Sequence, residues 1–100
     1  MTITTGHFQL TPEQRRFHDL IAKYPTVACY WNFENPCCLE AELDKAMSVI
    51  SHGERIMAQF FRSVWAGNDD AGFGVVEAAE ILGERDLAVI IGWLVDPFFP

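Results

Sequence analysis

An apolar repeat with alternating steps of four and three residues runs through the middle of the chain and constrains its fold more than any other feature. The repeat consists of Leu39, Leu43, Ala46, Ile50, Gly53, Met57, Phe60 and Val64. Apolar side chains at this spacing share one face of an α-helix, so residues 38–65 are predicted to be helical. Ser51 and Glu54 have the spacing of a capping box, and Gly53 weakens a helix interior. We therefore expect two helices, or one helix with a kink near residue 52.

Another helix start lies near the N-terminus. Thr11 is followed by Pro12 and by Gln14 three residues on, which is the pattern of a capped helix beginning with proline. The apolar stripe that follows is Phe17, Leu20, Ile21 and Tyr24. Because Pro25 disfavours helical geometry at the residue before it, the helix is predicted to end at Tyr24.

Residues 26–36 are too continuously apolar for either a helical or a strand period to show. A strand in this segment would need a partner, and we expect only the Thr-rich N-terminus to offer one. A short buried helix or a loop packed by aromatic side chains is the alternative. Asn35-Pro36 is predicted to close the segment as a turn.

Glycines and prolines divide the rest of the chain. Residues 66–72 are predicted to form a loop, and Glu84 and Asp86 to lie in the first turn of the last helix, which Asp96-Pro97 ends. The predicted buried faces are Val75, Val76, Ala79 and Leu82 in a short helix ended by Gly83, and Leu87, Ile90, Ile91 and Leu94 in the last helix. The fold class expected is all-α, a single domain over 1–100 with four or five short helices and at most a minor β element near the N-terminus.

The charge of the chain is uneven. The net charge is −7, of which residues 68–100 contribute −6 because they hold seven acidic residues and one basic residue, Arg85. Such a surface repels phosphate, so we expect no direct binding to nucleic acid or to an anionic membrane. A basic protein surface would be attracted to it, whereas the alternative interpretation is that acidity keeps an apolar chain in solution.

The cysteines and histidines are the residues on which an enzyme could be built. Cys29, Cys37, Cys38 and His52 could supply a thiol nucleophile or a metal site. Their spacing lacks the paired ligands of zinc sites, and neighbouring acidic residues raise the pKa of a thiol. No catalytic residue, metal site or cofactor is therefore expected, and the chain is predicted not to be an enzyme.

Two features of the C-terminal third point to binding. Glu77, Glu80 and Glu84 are spaced to form a row if helical geometry continues across Gly83, with further acids at Asp69 and Asp70. Such a row would imitate a phosphate backbone, although a solvated helix face is the common explanation of such charges.

The last helix is also more apolar than one buried face requires, so it is either buried on nearly all sides or partly in contact with another chain. We expect Trp93, Phe98 and Phe99 to contact another chain, with Met57 and Trp65 as further candidates. A homodimer would use the same residues.

These features favour a non-enzymatic protein-interaction module, and more specifically an inhibitor or regulator that binds a basic nucleic-acid-handling protein. A structural homodimer and a small thiol- or metal-dependent enzyme are the alternatives. The N-terminus lacks the pattern of a secretory signal, and no apolar run approaches the roughly 20 residues that span a bilayer. A cytoplasmic protein with reduced thiols is therefore expected.

Overall fold

The computed structural model describes residues 10–100, which are mostly helical and contain one small antiparallel sheet. The elements in chain order are α1 (Pro12–Ile21), α2 (Pro25–Ala28), β1 (Trp31–Asn32), β2 (Cys37–Cys38), α3 (Glu40–Ala46), α4 (His52–Ala66), α5 (Val75–Ile81) and α6 (Glu84–Val95). The predicted fold class, helical with a minor β element, is confirmed. The described part holds six helices instead of four or five, because α2 forms a single short turn of its own.

The N-terminus of α1 has the predicted capping box. The Thr11 hydroxyl accepts a hydrogen bond from the Gln14 amide at 3.1 Å, and the Gln14 side chain accepts one from the Thr11 amide at 3.1 Å. Phe17 and Ile21 are buried on the predicted stripe. The helix ends at Ile21, short of the predicted Tyr24, and a turn follows. Tyr24 itself has a non-helical backbone, as expected of the residue before a proline.

The segment after α2 is a β-hairpin. Trp31 pairs with Cys38 and Asn32 with Cys37, and the Asn32 side-chain oxygen closes the turn by accepting hydrogen bonds from the amides of Glu34 and Asn35. The expectation that only the N-terminus could partner a strand was wrong. The partner comes from the cysteines just beyond the turn, and Cys38 is therefore a strand residue and not the start of a helix.

The long apolar repeat is divided between two helices, as predicted. The hydroxyl of Ser51 caps the N-terminus of α4 by accepting a hydrogen bond of 3.1 Å from the Glu54 amide. The Glu54 carboxylate in turn accepts a hydrogen bond of 3.1 Å from the Ser51 amide. The second carboxylate oxygen of Glu54 accepts a hydrogen bond of 2.6 Å from the Thr26 hydroxyl, which ties α2 to the same helix start. Glu54 therefore fixes both where α4 begins and how α2 meets it.

The hydrophobic core is built around α4. This helix buries Ile56, Met57, Ala58, Phe60, Phe61 and Val64. Met57 is only 1% exposed, so the expectation that it contacts another chain was wrong. On one side of α4, Phe17 of α1 packs edge-on against Phe61 with ring centroids 5.9 Å apart and also contacts Trp31 and Trp65.

The buried faces of α5 and α6 differ from those predicted. In α5 the buried residue is Ala78, followed by Leu82 just beyond the helix, whereas Val75, Val76 and Ala79 are exposed. In α6, Ile90 is buried, but Ile91 and Leu94 are more than half exposed.

A rotation of α6 explains the second difference. Trp93 packs edge-on against Phe60 of α4, with the ring centroids 5.9 Å apart. Asp86 accepts a hydrogen bond of 2.6 Å from the Tyr24 hydroxyl. Both contacts turn the Asp86–Trp93 side of the helix inward, and this turns Ile91 and Leu94 outward.

We predict that Phe61→Ala lowers the free energy of unfolding by about 3–5 kcal/mol, the usual cost of emptying a buried aromatic site. Phe99→Ala is the matched control, since Phe99 is 63% exposed, and should cost less than about 1 kcal/mol. Urea denaturation followed by circular dichroism measures both. Equal losses in the two variants would contradict the position of the core.

The Glu54 carboxylate should make stability depend on pH. The hydrogen bond from Thr26, and then those with Ser51, lower the pKa of Glu54. A lowered folded-state pKa gives stability that is present above the unfolded value of about 4.3 and is lost as pH falls through the folded value. Glu54→Gln should therefore show a weaker loss of stability in acid than the wild type. Glu42→Gln, at an exposed position of α3, should follow the wild-type pH profile in the same denaturation series.

Candidate functional site

Exposed apolar side chains are concentrated in α5, α6 and the chain end. Of the nine large hydrophobic side chains exposed within residues 10–100, seven lie between residues 75 and 99. They are Val75, Val76, Ile81, Ile91, Leu94, Val95 and Phe99, and we call them the α5–α6 surface. Scattered exposed apolar residues are normal on a monomer, whereas neighbouring ones are typical of a contact site, and Val75 of α5 and Leu94 of α6 line one groove.

One flank of α6 carries most of this surface. Leu94 and Val95 follow Ile91 by three and four residues, so the three side chains lie together on the helix. Glu84 lies two helical turns before Ile91, on the same side of α6 and at its N-terminal end. The flank is therefore an apolar strip with a carboxylate at its N-terminal end.

A groove of about 430 Å³ between α4, α5 and α6 adjoins the strip. Its buried lining includes Phe60, Val64 and Ile90, and the exposed side chains of Val75 and Leu94 stand at its edge with Asp69. The volume falls within the range in which proteins bind ligand or partner side chains. We call it the α4–α6 groove.

The acidic residues predicted to form a row do not form one. Glu77, Glu80 and Glu84 are exposed, as are the neighbouring acids Asp69 and Asp70. The backbone is extended between α5 and α6, so Glu84 begins a new helix instead of continuing the row. The Glu77 carboxylate lies 2.9 Å from Nε2 of His52. The condition on which the row depended, a helix continuing across Gly83, is not met.

The adjacent aspartates Asp69 and Asp70 lie beside different hollows. Asp69 borders the α4–α6 groove, whereas Asp70 lines another hollow beside Arg62 and Trp65. Asp69, Asp70, Glu80 and Glu84 form no ion pair within residues 10–100. Of these four, Asp69 borders the α4–α6 groove and Glu84 lies at the N-terminal end of the apolar strip.

The aromatic residues expected to contact a partner differ in their exposure. Phe98 is only 7% exposed, because it packs beneath the guanidinium of Arg16 at 4.5 Å and its carbonyl accepts a hydrogen bond of 2.9 Å from the Trp93 indole. Trp93 is half-buried, as is Trp65, whereas Phe99 is 63% exposed and stacks edge-on against Trp93. Phe99 is therefore the accessible member of the set, and Phe98 belongs to the core.

The three free thiols lie on two parts of the fold. Cys29 is exposed on the turn after α2, while Cys37 and Cys38 are half-buried on β2. Burial raises the pKa of Cys38 to about 11, which keeps it as the unreactive thiol at neutral pH. Within residues 10–100, no group of three or more His, Cys, Asp or Glu side chains is arranged to hold a metal ion.

The sequence-based prediction did not identify several residues of the α5–α6 surface. Ile91 and Leu94 were expected to be buried because their spacing fits an inward face, as were Val75 and Val76. The signal available in the sequence was the excess of apolar residues in the last helix, which one buried face could not absorb.

Comparisons with known proteins add no relative. No protein-family model matches the sequence, and no curated protein or solved structure is significantly similar to it. No helix among residues 10–100 is both long and apolar enough to cross a membrane. The function is therefore inferred from the surface chemistry of the chain.

Because thiolate is the reactive form, the raised pKa of Cys38 should govern its alkylation. The rate of Cys38 modification by iodoacetamide should rise about tenfold per pH unit between pH 7 and 10, since the thiolate fraction does so below a pKa of about 11. In guanidinium chloride the same rate should level off above about pH 9, because an unperturbed cysteine has a pKa of about 8.5. Peptide mapping of a Cys29→Ser, Cys37→Ser variant isolates the residue. If the alkylation rate of the folded chain levelled off at the same pH as that of the unfolded chain, the burial of Cys38 would be contradicted.

Proposed function

We propose that the chain is a non-enzymatic protein-interaction module whose α5–α6 surface binds a basic partner protein. The observation that carries this proposal is the concentration of exposed apolar side chains in residues 75–99, in the same third of the chain that holds −6 of the net charge. Acidity for solubility alone would favour charged side chains here and would not require exposed valine, isoleucine, leucine and phenylalanine. A contact site for a basic partner would account for both.

The apolar residues would supply the affinity. Burying a side chain such as Leu94 or Val95 completely stabilises a complex by about 1.5–3 kcal/mol before the cost of association. The α4–α6 groove offers a pocket in which a partner side chain would be enclosed, which is the usual setting of the residues that dominate binding. A partner segment with apolar side chains at helical spacing fits such a groove.

The carboxylates would select the partner. Asp69 at the edge of the groove and Glu84 at the head of the α6 strip form no ion pair with described residues, so they are available to lysine and arginine. An apolar centre with a charged rim is the usual anatomy of a protein interface. The same charges repel a second acidic copy and a nucleic-acid backbone, which favours a basic protein over either.

A basic surface is typical of proteins that bind nucleic acids, because lysine and arginine neutralise the phosphates. A chain that covers such a surface would compete with the nucleic acid for it. We therefore propose the more specific role of an inhibitor or regulator of a nucleic-acid-handling protein, acting inside the cell, where the free thiols would remain reduced.

The charge prediction compares two double variants. Glu80→Lys with Glu84→Lys should abolish capture of the partner from a lysate of the source cells, because it places two positive charges beside the apolar surface. Glu34→Lys with Glu42→Lys makes the same change in net charge at exposed positions outside that surface, and it should leave capture unchanged. Quantitative mass spectrometry at 50 and 300 mM salt should identify a basic protein that the wild type and the control retain at low salt, and that higher salt weakens.

The apolar half of the site has a closely matched control. Val95 and Val49 are 79% and 82% exposed, and only Val95 lies on the α5–α6 surface. Val95→Lys should therefore weaken binding to the identified partner at least tenfold, whereas Val49→Lys should change it less than twofold, with both variants folded by circular dichroism. Equal binding by all variants would remove the proposal. A wild-type dimer in sedimentation equilibrium that Val95→Lys dissociates would replace it with self-association.

A further inference from the structure

A second groove lies between α1 and α6, and Trp93 lines both this groove and the α4–α6 groove. Its volume is about 570 Å³, and Leu20, Val89 and Trp93 give it apolar walls. Gly92 contributes no side chain, and a Cβ atom placed there would meet no neighbouring atom within 4 Å. We call this hollow the α1–α6 groove. It has space beside α6 and an apolar lining, which are the general requirements of a small-molecule site.

The groove gathers positive charge in an otherwise acidic chain. Arg16, Lys23 and Arg85 line it, although residues 68–100 contain no other base than Arg85. Arg16 is held by Asp96, whose carboxylate lies 3.0 Å from its Nη2 atom. Lys23 and Arg85 form no ion pair with any described residue. Two cationic side chains therefore keep hydrogen-bond donors available at the edge of the groove.

The neighbouring carboxylates are already engaged with other groups. Asp19 lies 3.1 Å from the Nδ1 atom of His18, and Asp86 accepts the hydrogen bond of the Tyr24 hydroxyl. With Asp96 bound to Arg16, each acid around the groove has a partner within the chain. An incoming anion would thus find unpaired donors, while the remaining negative charges would disfavour a ligand that carries more than one charge.

We propose that the α1–α6 groove binds a small amphiphilic monocarboxylate. Its carboxylate would accept hydrogen bonds from Arg85 and Lys23, because a guanidinium matches the two oxygens of a carboxylate. Its apolar body would lie along Leu20, Val89 and Trp93. The proposal does not depend on the partner-binding function, since Lys23 and Arg85 line this groove and not the α4–α6 groove.

The test uses isothermal titration calorimetry with decanoate and 1-naphthoate, a linear and an aromatic member of the ligand class. At least one should bind saturably with a stoichiometry near one and should change the fluorescence of the wild type but not of Trp93→Phe. Decanol or naphthalene-1-methanol, the uncharged counterpart of the ligand that binds, should bind at least tenfold more weakly, since it cannot use the two cations.

Three variants locate the site. The double variant Lys23→Glu, Arg85→Glu should weaken carboxylate binding at least tenfold. The control double variant Arg15→Glu, Lys45→Glu reverses two charges outside the groove and should change binding less than threefold. Gly92→Leu should abolish binding by filling the groove, and it should not lower the melting temperature, because the position is helical and open.

Three results would overturn the proposal. They are the absence of saturable binding with both carboxylates, equal affinity for the uncharged counterpart, and wild-type affinity in the variant with reversed Lys23 and Arg85. Because each readout uses the purified chain and a defined small molecule, none depends on whether a protein partner is found.

Discussion

The packing of aromatic side chains against α4 is the interaction on which the rest of the structure depends. Phe61 is fully buried and contacts Phe17 of α1 on one side and Phe60 on the other. Phe60 in turn contacts Trp93 of α6. Each ring buries a large apolar area, and edge-on pairs add a further attraction. The positions of α1 and α6 therefore depend on the rings that reach α4, together with the polar contacts of Tyr24 and Arg16.

The elements that the sequence predicted correctly are those that local chemistry determines. Both capping boxes and the break before His52 depend on residues three positions apart, so they can be read without knowledge of the fold. The hairpin depends on Asn32 closing a turn onto the cysteines. The orientation of α6 depends on Tyr24 and Phe60, which lie far away in the sequence. Periodicity alone could not choose between two nearly equivalent faces of so apolar a helix, and it placed Ile91 and Leu94 inside.

The exposure of those residues follows from how α6 is held. Its first turn is fixed by the hydrogen bond from Tyr24 to Asp86, its middle by Ile90, and the residue after its end by the ion pair of Asp96 with Arg16. Burial, together with the interaction with Asp86, raises the pKa of Tyr24, so the hydroxyl remains a donor throughout the physiological range. All of these contacts lie toward one side of the helix. The opposite flank is left to solvent, and it is the flank on which Ile91 and Val95 lie.

The two flanks of α6 therefore differ in electrostatic character, although they belong to one helix. Glu84 and Arg85 are adjacent in the sequence, so their charges are not screened from each other, but successive side chains point about 100° apart around a helix. Glu84 therefore lies on the side of Ile91, whereas Arg85 lines the α1–α6 groove. A net charge of −7 repels anions at long range but does not decide what each flank binds. That choice belongs to the side chains that can contact the ligand directly and form no ion pair with described residues, which are Glu84 and Asp69 beside the apolar strip and Lys23 and Arg85 beside the α1–α6 groove.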